Sequence, residues 1–180
     1  MSTGPGDAPG PAPAMVRAVL ALGSNLGERA DTLASAVADL VDNDAVRLRH
    51  TSPVVTTKPV GGPAGQPDFL NMVIEVETSL DPYALLAHCN AVEAKHQRMR
   101  EVRWAARTLD VDIITYGGLE SSDERLTLPH PRAAQRAFVL YPWSLMDATA
   151  TLDGIPVAAL AARAEDMAGI EHFSGGTETL

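Results

Sequence analysis

Residues 103–114 read R-W-A-A-R-T-L-D-V-D-I-I and bring together two arginines, one of the two tryptophans and two carboxylates. From Leu109 onward apolar and acidic residues alternate, which is the period of an extended strand. Leu109, Val111 and Ile113 then point to one face, and Asp110 and Asp112 to the other. Two carboxylates sharing a strand face repel one another. A hard divalent cation, with the phosphates it usually carries, resolves that conflict. A solvated strand face paired with nearby arginines resolves it as well, so the D-x-D pattern alone leaves both readings open.

The chain has 180 residues, 46% of them apolar, enough for one domain with a real core. No apolar run approaches the roughly 20 residues that span a bilayer. Residues 1–14, rich in Gly, Pro and Ala, lack the basic and apolar regions of a signal peptide and are expected to form a disordered leader. A single domain is expected over 15–171, and a disordered tail over 172–180. The one cysteine, Cys89, excludes an internal disulfide, suits a reducing cytoplasm and falls on an apolar helical stripe as a buried small side chain.

A net charge of −9 argues against a general nucleic-acid binder. Yet seven of the fourteen basic residues lie between 98 and 136, and all seven are arginine: Arg98, Arg100, Arg103, Arg107, Arg125, Arg132 and Arg136. Guanidinium groups match phosphate oxygens two at a time, so a local arginine cluster on an acidic chain indicates a confined polyanion site. A surface ion-pair network is the plainer reading for any single one of them.

The flanking chain supplies the other elements. Val16–Leu22 fits a central strand and runs into a glycine turn over 23–27, read as structural because neither phosphate-loop nor dinucleotide spacing is present. Leu33, Val37, Leu40 and Val41 form the buried stripe of a helix from Arg29 that ends near Asp42. Val46–Val55 is a second strand, at an edge or bulged because Pro53 lacks an N–H. Residues 57–67 hold three prolines and three glycines, a functional or mobile loop. Asn71–Thr78 is a third strand, with Met72, Ile74 and Val76 on one face. A second helix opens at Asp81-Pro82, its stripe running through Leu85, Cys89, Val92, His96 and Met99. Leu126–Pro131 is a short extended piece, and Ala133–Ala137 a helical turn. Phe138–Leu145 returns to the core, and Val157–Ala164 is a weak helix.

The order β-α-β-β-α-β with C-terminal additions is the α+β, ferredoxin-like arrangement, with helices packed on one face of an antiparallel sheet. The opposite face is then free to carry a site, and Asp110 and Asp112 look out onto it.

Four stretches resemble the 6-hydroxymethyl-7,8-dihydropterin pyrophosphokinase family: A-L-G-S-N-L-G at 21–27, G-Q-P-D-F-L-N at 65–71, R-M-R-E-V-R-W-A-A-R-T-L-D-V-D-I-I at 98–114, and L-T-L-P-H-P-R at 126–132 with R-A-F-V-L at 136–140. They follow the family's order, and the third is its specific signature. The resemblance implies transfer of pyrophosphate from ATP to the hydroxymethyl group of the pterin, with release of AMP, in tetrahydrofolate biosynthesis.

By the same resemblance, Asp110 and Asp112 hold two Mg²⁺ ions that bridge the ATP phosphates. Arg98, Arg107, His130 and Arg136 contact those phosphates, Arg98 and Arg107 on a mobile loop that Trp104 helps to close. Asn71 hydrogen-bonds the pterin, which stacks between Phe69 and Phe138. Val60 and Gly61 line the pterin pocket, while Leu126 and Thr127 line the adenine end. A cytoplasmic monomer without nucleic-acid or membrane partners is expected.

The chain departs from the family at Ala105-Ala106, where Gly-Pro is common, and at Glu101, where some members carry lysine. Phe69 stands where a tyrosine is frequent. Chemistry alone also admits another Mg²⁺-dependent transferase that uses D-x-D on nucleotides, or a ligand-binding module without catalysis.

Overall fold

A computed structural model describes residues 10–25, 29–58, 65, 68–101 and 109–174, with only the backbone given for Arg98–Glu101. The apolar alternation of the first strand produces β1 (Val16–Ser24), followed by α1 (Arg29–Val41). Leu33, Ala36 and Leu40 are fully buried along one side of α1. Next come β2 (Val46–Thr51), β3 (Val55–Thr57) and β4 (Phe69–Thr78), then α2 (Pro82–Glu101). Asp81 caps α2: its Oδ1 accepts the Ala84 N–H at 2.9 Å, with Pro82 at the first helical position, where no N–H is needed. β5 (Leu109–Tyr116) follows, and a small hairpin of β6 (Ser121–Asp123) and β7 (Leu126–Leu128).

The main sheet is antiparallel in the order β10-β3-β4-β1-β5, where β10 is Ile170–His172 near the C-terminal end, with β2 alongside the other half of β4. Its β1–β5 portion with α1 and α2 is the ferredoxin-like unit expected from the sequence. Pro53 does more than place a strand at an edge. It splits the segment into β2 and β3, and Ser52 bridges the break. The Ser52 N–H donates to the Val73 carbonyl at 2.8 Å, and its Oγ accepts the Val73 N–H at 2.8 Å. Both polar groups of Val73 are thus satisfied where the ladder is interrupted.

Two cores lie on the two faces of this sheet. Leu20, Leu22, Met72, Ile74, Val76, Leu109, Val111 and Ile113 pack with α1 and α2, and Cys89 is buried among them. Burial pushes the Cys89 thiol up to about 12, so it behaves as an apolar side chain. Val19, Ala21, Val73 and Ile114 form the second core with α3 (Ala137–Met146) and α4 (Val157–Arg163). The expectation of helices on one face therefore holds only for α1 and α2. The C-terminal additions cover part of the other face, because α3 (A-F-V-L-Y-P-W-S-L-M) is apolar nearly all round and must be enclosed. Between α3 and α4 lies a two-residue hairpin of β8 (Thr151–Leu152) and β9 (Ile155–Pro156).

The expected tail over 172–180 begins inside β10, whose last residue is His172, while residues 175–180, like 1–9 of the expected leader, lie outside the described residues. Ile170, Glu171 and His172 pair with Thr57, Thr56 and Val55, and the Phe173 N–H reaches the Val54 carbonyl at 3.1 Å. Ile-Glu-His is too short to carry a strand signal of its own, and the edge of β3 supplies the pairing.

Ser52→Ala is expected to leave the buried Val73 N–H without its acceptor and to lower stability by roughly 1–3 kcal/mol. A urea unfolding series in which the midpoint stayed at the wild-type value would contradict this account of the β2–β3 break.

Candidate active site

The site is built on one transverse row of the sheet. Asn71 of β4 stands opposite Gly23 of β1, and Gly23 stands opposite Asp110 of β5. Strands lie about 4.8 Å apart, so Asn71 and Asp110 are separated by roughly 10 Å with a glycine between them. A Cβ at Gly23 would meet Asn71 Oδ1 at 2.7 Å. Gly23 belongs to the strand rather than to a turn, and its lack of a side chain lets the Asn71 amide lie flat across β1. Asn71 Nδ2 donates to Thr57 Oγ1 at 2.8 Å, which holds the amide in that orientation.

One row deeper, Ala21 stands opposite both Val73 and Asp112. Asp112 sits on the same face as Asp110, as the alternation with the buried Leu109, Val111 and Ile113 requires. The Val111 N–H between them is taken by Glu93 Oε1 of α2 at 2.7 Å. Burial pushes the Glu93 carboxyl up, the Val111 bond opposes that, and the charges of Asp110 and Asp112 push it further up. Glu93 had no signal in the sequence beyond its place on an otherwise ordinary helix.

Arg136, the N-cap residue of α3, brings Nη1 to 3.9 Å from Asp112 Oδ2 and lays its guanidinium carbon 5.5 Å from the centre of the Phe138 ring. His130 reaches the region through β5. Ile114 is the extra residue where the β1–β5 register shifts, and its carbonyl accepts the His130 N–H at 2.9 Å. His130 Nδ1 accepts the Arg132 N–H at 3.2 Å, so the neutral ring carries its proton on Nε2 and offers it as a donor. Burial holds the His130 pKa below the ordinary imidazole range, the Asp112 carboxylate pulls it back up, and Arg136 and Arg132 push it down.

A cavity of about 570 Å³ opens on this face. Phe69, Asn71, Asp110, Asp112, Arg136 and Phe138 all line it, six of the residues expected from the sequence. Thr57, Lys58, Asp166 and Ile170 line it as well and were not anticipated. Leu126 is buried in the core beneath α1 and α2, so its side chain does not face the cavity, and Thr127 Oγ1 donates to the Asp123 carbonyl at 3.0 Å. Val60, Gly61, Trp104, Arg107 and the side chain of Arg98 lie outside the described residues, as do most of the two loops expected to move.

Among the described residues no group of three or more His, Cys, Asp or Glu side chains is placed to hold a metal ion. The pair Asp110 and Asp112 instead fits magnesium, which is commonly held by one or two carboxylates with substrate phosphate and water completing its sphere.

Residues 19–148 match the family model described as 7,8-dihydro-6-hydroxymethylpterin-pyrophosphokinase. The chain belongs to this family. It is 40% identical over 158 residues to the 2-amino-4-hydroxy-6-hydroxymethyldihydropteridine pyrophosphokinase of Methylorubrum extorquens, covering 88% of this chain and 99% of that one. The Bacillus subtilis enzyme of the same name is 44% identical over 125 residues, or 69% of this chain and 74% of that one. In fold the chain resembles Plasmodium falciparum HPPK-DHPS, with a TM-score of 0.66 and 13% identity over 88% of this chain and 47% of the other.

The chain is thus a transferase: a pyrophosphoryl group passes from ATP to hydroxymethyldihydropterin in folate biosynthesis. No helix among the described residues is long and apolar enough to cross a membrane.

Titration of the His130 ring by NMR in the ligand-free protein is expected to give a midpoint below about 6.5, the ordinary imidazole value. Asp112→Asn, by removing the charge that pulls it upward, should lower the midpoint further. Because the folded value lies below the unfolded one, His130 contributes stability above about pH 6.5 that is lost as pH falls through the folded midpoint. A midpoint above 6.5, or one that rises in the Asp112 variant, would contradict this electrostatic account.

Proposed function

We propose that transfer takes place in this cavity, with the pterin at the Asn71 end and the ATP phosphates at Asp110 and Asp112. The observation that carries the reading is the row Asn71–Gly23–Asp110, which sets an oriented amide and a carboxylate roughly 10 Å apart on one rigid sheet. Ring recognition and phosphate handling are then held at a constant separation, and positioning is most of what phosphoryl transfer asks of a protein.

Asn71 offers the pterin a hydrogen-bonding edge, while Phe69 from the sheet and Phe138 from α3 supply aromatic faces for stacking. Val60 and Gly61 complete that end by their backbone. Asp110 and Asp112 would hold magnesium, two ions by analogy with the family, and the metal would supply neutralisation of phosphate charge. Arg136, Arg98 and Arg107 add guanidinium groups around the transferring phosphates. His130 donates Nε2–H to a phosphate oxygen, and its neutral form keeps Nδ1 on the Arg132 amide. Trp104 closes the ATP side, and Thr127 with the backbone of Leu126 borders the adenine.

The hydroxymethyl oxygen attacks the β-phosphorus and releases its proton to solvent, the bond to the α–β bridging oxygen breaks, and AMP leaves with that oxygen. ATP as co-substrate and a buried, unpaired cysteine are consistent with a cytoplasmic location.

Incubation with ATP and hydroxymethyldihydropterin should release AMP, and only when both are present. Accumulation of ADP or free phosphate would point to another transferase. Asp110→Ala and Asp112→Ala, on an unchanged fold by circular dichroism, should each lower turnover by roughly 100-fold or more. Retained turnover in either variant would remove that carboxylate from the site.

Gly23→Ala tests the other end of the row. The added methyl displaces Asn71 Oδ1, so the KM for the pterin should rise about tenfold or more while the KM for ATP stays near wild type. Equal changes in both KM values would show that the row does not separate the two substrates.

A further inference from the structure

The chain beyond residue 148 lies outside the span matched by the family model, yet it returns to the cavity wall. Asp166, Gly169 and Ile170 line the cavity opposite the two aspartates' strand. Asp166 also meets a need that α3 cannot meet by itself. The N-cap residue of α3 is Arg136, whose side chain makes no capping bond. Arginine has no acceptor to offer, so the first amides of the helix must find one elsewhere. Both oxygens of Asp166 accept the Ala137 N–H, at 2.9 and 3.1 Å. A carboxylate from 29 residues downstream thereby caps the helix, and its negative charge faces the positive end of the α3 dipole.

The amide that is held lies between Arg136 and Phe138. Arg136 points to Asp112 on one side, and Phe138 faces the cavity with the same guanidinium over its ring. We propose that Asp166 is a positioning residue for the reaction: by holding the 136–137 peptide it sets Arg136 against the phosphates and Phe138 against the pterin together. The inference rests on the roles given to Arg136 and Phe138 above.

The segment carrying Asp166 is itself anchored on both sides of the cavity. Tyr141 Oη and His172 Nε2 are 2.9 Å apart, joining β10 to α3, and β10 pairs with β3, whose Thr57 holds Asn71. A purely structural role for Asp166 would make it one more of these anchors, and the comparison with Tyr141 separates the two roles.

The experiment measures kcat, both KM values and the thermal midpoint in the full chain for wild type, Asp166→Ala, Asp166→Glu and Tyr141→Phe. Asp166→Ala should lose about tenfold or more in kcat/KM for the pterin. Asp166→Glu keeps a capping carboxylate on a longer arm. It should hold a near-wild-type thermal midpoint yet lose several-fold in kcat/KM, and it decides the matter even if the alanine variant does not fold. Tyr141→Phe loosens the same segment without touching the 136–137 peptide, so it should lower the midpoint and leave the kinetics unchanged. Wild-type kinetics in a folded Asp166→Ala or Asp166→Glu protein overturns the proposal. So does a kinetic loss in Tyr141→Phe that matches that of the Asp166 variants. A wild-type chain that forms no AMP overturns the functional reading and this inference with it, whereas an active wild type with unaltered Asp166 variants overturns this inference alone.

Discussion

Two carboxylates on one face of β5 set the terms for the rest of the molecule. Leu109, Val111 and Ile113 must be buried, so the strand lies with that side against α2, and Asp110 and Asp112 are forced onto the opposite face. That face cannot be sealed by apolar packing at their position without stranding charge. α3 accordingly covers Val19, Ala21, Val73 and Ile114 and turns Arg136 and Phe138 toward the part left open. The cavity is what remains between an apolar helix that must be enclosed and an acidic strand end that must not.

Rigidity is the second consequence. Asn71 and Asp110 sit on β4 and β5, and β1 between them is central and paired on both sides. Gly23 keeps the intervening position flat, so the spacing of Asn71 and Asp110 is a property of the sheet. For a reaction that asks for alignment rather than covalent help, a sheet row is a better support than a loop. The Ile114 carbonyl links the His130 backbone to β5 of the same sheet.

Much of this was legible in the residues. The period of two in 109–113, the stripe of α1 and the Asp81-Pro82 cap each reflect local chemistry, and each is found as read. Of the arginines, Arg136 lines the cavity and Arg125 lies over the Tyr83 ring, while Arg103, Arg107 and the side chains of Arg98 and Arg100 lie outside the described residues. The glycine segment from 23 was read as a turn, because a glycine in a strand gives no sign of which neighbour needs the space. That neighbour, Asn71, is 48 positions away and meets it only through the β1–β4 register. The strand at β10 and the covering of the second face by α3 were missed for a related reason. A run of three residues pairs only because the edge of β3 is there, and an apolar stretch such as 137–146 does not say which surface it will cover.

The sequence by itself determined the local pattern: which residues are core and which strand carries two acids. These follow from side-chain type and period, which act over a few residues. Only the tertiary structure decided how the acids, the amide of Asn71, Arg136 and the Asp166 cap share one cavity. Register between strands and the return of the C-terminal segment are contacts between distant positions, and no local pattern encodes the partner that a residue will face.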